Sequence, residues 1–106
     1  IIKYKSSILK AMETTIPKTV GLNNGATMPT FGFGTDKIQD HTIFKRAVTE
    51  LGYKMFDCAS RYRNEEVVGK ALHELVNVDK SVQRSDLFVI SKVWQDEVED
   101  VEAACK

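Results

Sequence analysis

Several things are scarce in this chain of 106 residues, and each scarcity removes a class of function. Neither charge is in excess: 15 basic and 15 acidic side chains cancel to a formal net charge of zero. No overall positive field therefore recommends nucleic acid or an anionic membrane as a partner. No window approaches the roughly 18 to 20 consecutive apolar residues of a membrane-spanning helix, which predicts no membrane span and a cytoplasmic protein. Cysteine is limited to Cys58 and Cys105, in no zinc-ligand spacing, so reduced, structural thiols are expected and no metal site is. Low-complexity stretches and domain linkers are missing too, and 42% hydrophobic with 28% charged residues suits one ordinary globular unit.

The charge that is present is unevenly placed. The opening IIKYKSSILKA carries Lys3, Lys5 and Lys10 without an acid or an arginine, and Met12 follows it directly. It reads as an upstream extension, a tag remnant or a short basic targeting segment, the last giving an organellar location as the alternative to the cytoplasm. Residues 1–18 are set aside as an extension and residues 19–106 taken as the folded unit. Near the other end Asp96, Glu97, Glu99, Asp100 and Glu102 suit the first turn of a helix, where carboxylates oppose the macrodipole.

Between these ends the pattern alternates. Asn-Gly within Asn23–Gly25, between short apolar runs, predicts a hairpin of Thr19–Leu22 with Ala26–Met28. PTFGFGT predicts a first core strand, Thr30 to Gly34. From an Asp40 cap, the apolar Ile43, Phe44, Ala47, Val48 and Leu51 recur at helical spacing and Gly52 stops them. YKMFDCA predicts a second strand, with Tyr53, Met55 and Asp57 on one side and Lys54 and Phe56 on the other. Asn64 then caps a second helix through Val67, Val68, Ala71, Leu72, Leu75 and Val76. LFVISK predicts a third strand, and Asp96 starts a third helix through Val98, Val101 and Cys105. A hairpin followed by three strand–helix pairs is an α/β pattern with a parallel sheet and right-handed crossovers.

Chemistry gathers at one edge of that sheet. Asp57 ends the second strand, Tyr62 lies in the loop after it, and Lys92 ends the third; in parallel α/β folds the C-terminal edge is where ligands bind. Adjacent strands lie about 4.8 Å apart, so Asp57 and Lys92 are within reach of a partly buried ion pair if their strands are neighbours. A free phenol titrates near 10, too high for efficient acid catalysis at neutral pH, and an adjacent ammonium favours the phenolate. Asp57 holding Lys92, and Lys92 assisting Tyr62, is therefore one reading, with proton donation to a carbonyl oxygen as its use. Ordinary solvated charges at strand ends are the other. The Gly-Phe-Gly of residues 32–34 is no dinucleotide fingerprint, since the third glycine would fall at Lys37 and no helix follows at once.

The stretches LNNGATMPTFGFGT, GYKMFDCASRYRNEEVVGKAL and LFVISKVW, in that order, resemble the N-terminal third of the aldo-keto reductase family. The resemblance covers about residues 20 to 105. It implies a hairpin and three βα units of a (β/α)8 TIM barrel, with the rest of the barrel outside these residues, and reduction of aldehydes or ketones by NADPH, less often NADH. It implies Tyr62 as general acid, Lys92 as its partner and Asp57 as the carboxylate on that lysine. Gly34, Thr35 and Asp57 match positions near the nicotinamide, and Trp94 matches a tryptophan near the pocket, although a buried aromatic also needs no ligand to explain it. The histidine that the family places after its fourth strand has no counterpart, and His41 and His73 are expected to be exposed on helices. Two positions depart from the pattern: Asp36 where relatives carry an aromatic, and Arg61 where an apolar residue is usual. They are expected either to pair across the pocket, suiting it to a polar substrate, or to bend outward separately. Two accounts of the chain follow: the N-terminal part of a longer reductase, inactive alone, or a shortened structural subunit whose exposed sheet edges require a protein partner.

Overall fold

The computed structural model describes residues 17–105. The extension read from residues 1–18 thus lies almost wholly outside the described residues. The chain forms two compact units that part between Thr30 and Phe31. In the first, strand β1 (Thr19–Gly21) pairs antiparallel with β2 (Thr27–Pro29), with Val20 opposite Met28. Asn23–Gly25 makes the turn as expected: Gly25 has φ +84°, a left-handed value that favours glycine, and the Asn24 side-chain oxygen accepts from the Ala26 amide at 3.0 Å.

The second unit carries a three-stranded sheet in the order β3 (Gly32–Gly34), β4 (Met55–Asp57), β5 (Phe88–Ile90), parallel throughout. Helix α1 (His41–Thr49) connects the first two strands; α2 (Glu65–His73), extended by a π-helical turn at Glu74–Val78, connects the next two. The strand–helix alternation read from the sequence is therefore present, with strands a little shorter than expected.

Alternation along the strands decides which side chains form the core. Phe33, Phe56 and Val89 share one register row and belong to the face that packs with the helices. Phe56 and Phe44 are fully buried, and their rings meet edge-on at 6.2 Å. Phe33 joins both at 6.1 Å and Tyr53 at 5.2 Å. From the helices come Ala47, Val48, Val68, Ala71 and Leu75, all buried. Ile43 and Leu51, expected on the same stripe, are exposed, Leu51 lying past the end of α1.

Asp40 caps α1 as read: its carboxylate accepts from the Thr42 amide at 2.9 Å and hydroxyl at 2.7 Å, and these bonds hold its pKa below the usual carboxylate value. His73 is exposed, but His41 is half-buried, with Nε2 3.6 Å from Glu74 Oε1. Lys45 joins the same group, lying 2.8 Å from both Glu74 and Asp79, and ties α1 to the end of α2.

The third helix differs from expectation. Asp96 does not start it. Residues 94–97 form a turn, Val98–Asp100 a 3-10 turn, and only Val101–Ala104 (α3) is α-helical, capped by Asp100. Val98 and Val101 remain exposed, so this segment lacks the apolar docking that sustains a short helix. Both cysteines are free thiols, Cys58 buried and Cys105 exposed. Among the described residues no helix is long and apolar enough to cross a membrane.

Because Phe44 is fully enclosed by ring contacts, Phe44→Ala is expected to destabilise the protein by about 3 to 5 kcal/mol. Denaturant unfolding with an unchanged m value would measure it; a loss under about 1 kcal/mol would contradict this core.

Candidate active site at the strand rim

The parallel register places Gly34, Asp57 and Ile90 in one row at the C-terminal ends of the strands. Two further bonds continue the ladder past that row, Cys58 N to Ile90 O at 2.8 Å and Ser60 N to Lys92 O at 3.4 Å. Lys92 is thereby brought beside Asp57 from 35 residues away, and its Nζ donates to Asp57 Oδ1 at 2.5 Å and to Cys58 O at 2.9 Å. The pair is more open than expected: the two side chains are 43% and 44% exposed. An exposed pair adds little to stability, so its effect here is to orient the ammonium. The Asp57 bond raises the Lys92 pKa above its ordinary value; partial burial opposes this, and the nearby Tyr62 phenol adds to the rise.

Tyr62 reaches this rim from a 3-10 turn, Ser60–Tyr62. Lys92 Nζ lies 5.2 Å from the centroid of its ring. The next residue, Arg63, takes a left-handed conformation (φ 51°), an uncommon state for a side chain other than glycine. This reversal separates Tyr62, half-buried at the rim, from Asn64, which is 1% exposed.

Asn64 stands at the N-cap of α2, as read, but its side chain does not cap the helix. Its Nδ2 donates to Thr35 O at 2.6 Å and Ile38 O at 2.8 Å, locking the β3–α1 loop against the start of α2. Its Oδ1 is buried with no partner among the described residues. The helix gains its first-turn acids, Glu65 and Glu66, and Glu65 also accepts from the Ser91 hydroxyl, joining α2 to the end of β5.

The remaining candidates divide. Gly34 sits at the open edge, where a Cβ would meet nothing within 4 Å. Thr35 is fully buried; its amide and hydroxyl donate to Asp57 O at 3.2 and 2.9 Å, and its carbonyl is taken by Asn64. Thr35 therefore braces the rim from behind. Cys58, behind β4, has its thiol pKa raised by burial, which suits a packing role. The Asp36–Arg61 pairing is absent from the ion pairs among the described residues. Both side chains are exposed, and the Arg61 guanidinium lies over the Trp94 ring, 4.4 Å from its centroid.

Trp94 itself is held by a residue that the sequence pattern left as part of a solvated acidic run. Glu97 Oε2 accepts from the Ser60 hydroxyl at 2.6 Å and from the Trp94 amide at 2.7 Å. The only sequence signal was a carboxylate three positions after the tryptophan, the spacing of a local turn closed by a side chain.

The sequence profile of the Aldo/keto reductase family matches residues 27–105. The chain belongs to that family. It is 41% identical over 92 residues to aldo-keto reductase family 1 member A1-A of Danio rerio, covering 83% of this chain and 28% of the relative. Aldehyde reductase YPR1 of Saccharomyces cerevisiae is 39% identical over 88 residues, 81% of this chain and 27% of the relative. The NAD(P)H-dependent D-xylose reductase of Pachysolen tannophilus is 40% identical over 73 residues, 69% and 23%. This aldo/keto reductase chain thus spans a little over a quarter of the length of the curated relatives that it matches, and its hairpin and three βα units are the corresponding part of a TIM barrel.

The Glu97 clasp makes a pH prediction. Its pKa is depressed, first by the Ser60 bond and then by the Trp94 amide, so its contribution is present above the unfolded carboxylate value and lost as pH falls through the lower folded value. Tryptophan emission is expected to change on acidification in that acid window, and Glu97→Gln to abolish this step. An identical acid profile in parent and variant would rule the clasp out as its source.

Proposed function

We infer that these residues contribute the proton-donating half of an NADPH-dependent reductase site that converts aldehydes or ketones to alcohols. The observation that carries this reading is the convergence of Asp57, Lys92 and Tyr62 on one strand rim. Its chemistry follows from the charges. Asp57 favours the protonated form of Lys92, and with the Cys58 carbonyl it holds the ammonium beside the Tyr62 ring. When the carbonyl carbon of a substrate gains hydride, the electron pair of its C=O π bond moves to oxygen, and Tyr62 supplies the proton that completes the alcohol. The negative charge left on the phenolic oxygen is stabilised by the Lys92 ammonium until solvent returns a proton.

The rim has the character that a nicotinamide requires. Gly34 leaves space above the sheet edge, and Asp57 keeps one carboxylate oxygen beyond the one that Lys92 engages. Gly34 and Asp57 would hold the nicotinamide end of the cofactor, with Thr35 bracing both from below; when bound, reduced nicotinamide supplies the hydride. Similarity to an NAD(P)H-dependent D-xylose reductase supports a nicotinamide donor. NADPH over NADH rests on the family resemblance. The unpaired edges of β3 and β5 among the described residues are the places where further barrel strands would continue the sheet.

Three parallel strands do not close a barrel, so the 106 residues alone are expected not to oxidise NADPH in the presence of aldehydes. In the full-length protein, Tyr62→Phe is expected to lower kcat for aldehyde reduction by at least about 100-fold, with a much smaller change in KM. Absorbance at the NADPH band follows both. Retention of kcat within about threefold in Tyr62→Phe would overturn the assignment of the acid.

A further inference from the structure

Lys92 on Tyr62 is one of two cation–ring contacts made between the same pair of segments. One residue earlier in the first segment and two later in the second, the Arg61 guanidinium lies 4.4 Å from the centroid of the Trp94 ring. The geometry points to Arg61 as the residue that binds a carboxylate on the carbonyl substrate, with Trp94 as the shelf that fixes the guanidinium beside the proton donor. This rests on the reductase reading above and adds to it a substrate class: aldehydes or ketones that carry an anionic group a few bonds from the carbonyl.

Three observations support it. A guanidinium lying on an aromatic face keeps its N–H edge free and loses much of its rotational freedom, so the fork is oriented before a ligand arrives. Its charge is also available: Arg61 is exposed, and no carboxylate pairs with it among the described residues. By contrast, the other cation of the rim, Lys92, is occupied by Asp57. The shelf, finally, is held in place from both sides. Glu97 bonds the Trp94 amide and the hydroxyl of Ser60, the residue before Arg61, so one carboxylate fixes the relative position of the two segments that present the stack. Both bonds fall on Glu97 Oε2, and Glu97 forms no ion pair with Arg61 among the described residues. Asp36 is exposed and outside ion-pair distance of Arg61.

Proximity to the acid follows from the chain itself. Arg61 and Tyr62 are consecutive residues of one 3-10 turn, and their partners Trp94 and Lys92 are two residues apart on the facing segment, so both contacts stand on the same supports. A carboxylate on the guanidinium fork makes two parallel hydrogen bonds and restrains the end of the substrate opposite to the reacting carbonyl.

The test uses the full-length protein and a matched pair, 4-carboxybenzaldehyde and its methyl ester. The parent is expected to favour the acid over the ester by about tenfold or more in kcat/KM, Arg61→Met to bring that ratio close to one, and Arg61→Lys to fall between them. A ratio near one in the parent, or a ratio unchanged in Arg61→Met, would overturn the proposal. Calorimetry with 4-carboxybenzyl alcohol separates this outcome from failure of the reductase reading, because it needs no turnover. If neither aldehyde is reduced but Arg61→Met binds the carboxylate at least about tenfold more weakly, the anion site stands and the reductase assignment falls. Equal affinity in the two proteins counts against Arg61 whatever the catalytic result.

Discussion

Asp57 is tied at both its main chain and its side chain, and the geometry of the rim descends from that double attachment. Its carbonyl accepts from the amide and hydroxyl of Thr35, which fixes the end of β3 against the end of β4. Its carboxylate takes Lys92, which fixes the segment after β5 against the same point. Three segments far apart in sequence therefore meet at one residue. The side-chain pair adds little in stability terms, since it is open to water. What makes the arrangement stiff is the core beneath it, where Phe56, the residue before Asp57, is wholly buried among Phe33 and Phe44. A buried ring next to a rim carboxylate is the alternation of a β-strand put to use: one residue anchors and its neighbour presents.

The loop after β4 shows the same division between anchoring and presenting, achieved by backbone conformation in place of strand periodicity. Arg63 in the left-handed region turns the chain so that Tyr62 stays at the rim while Asn64 goes inward. Strain of this kind persists where the surroundings over-determine it, and here they do: Asn64 is held by two short bonds to the carbonyls of Thr35 and Ile38. The side chain that a helix-capping pattern assigns to its own helix is used instead to join two loops. Position is thereby transmitted from the β3–α1 loop to the tyrosine.

Around this frame the unusual residues find a common explanation. Arg61 and Trp94 sit on the two segments that Ser60 and Glu97 clasp together, immediately beside those that carry Tyr62 and Lys92. A cation on an aromatic shelf and an ammonium beside a phenol are thus neighbouring devices on shared supports. Under the function and substrate class proposed above, a substrate bound across both would meet charge at one end and the proton donor at the other.

Much of this was legible before any coordinates. The hairpin turn at Asn23–Gly25, the cap at Asp40, the alternating strand and helix patterns and the candidate trio all rest on local rules: turn conformations open to glycine and asparagine, the 3.6 and 2.0 periodicities, and charge at strand ends. Those rules act over a few residues, so a single sequence carries them in full. The partner of Arg61, the inward role of Asn64, the bracing role of Thr35 and the clasp made by Glu97 were not legible, nor was the shortness of the third helix. Each depends on which surface lies opposite: Arg61 has Trp94 within reach and no Asp36 pairing, while Val98 and Val101 have no apolar face to dock on. Long-range proximity is set by the parallel register and by the bends of loops, quantities that side-chain identity along the chain does not encode one position at a time. The residue types of the candidate site were thus determined by the sequence alone, and their pairing was decided only when the sheet brought distant segments together.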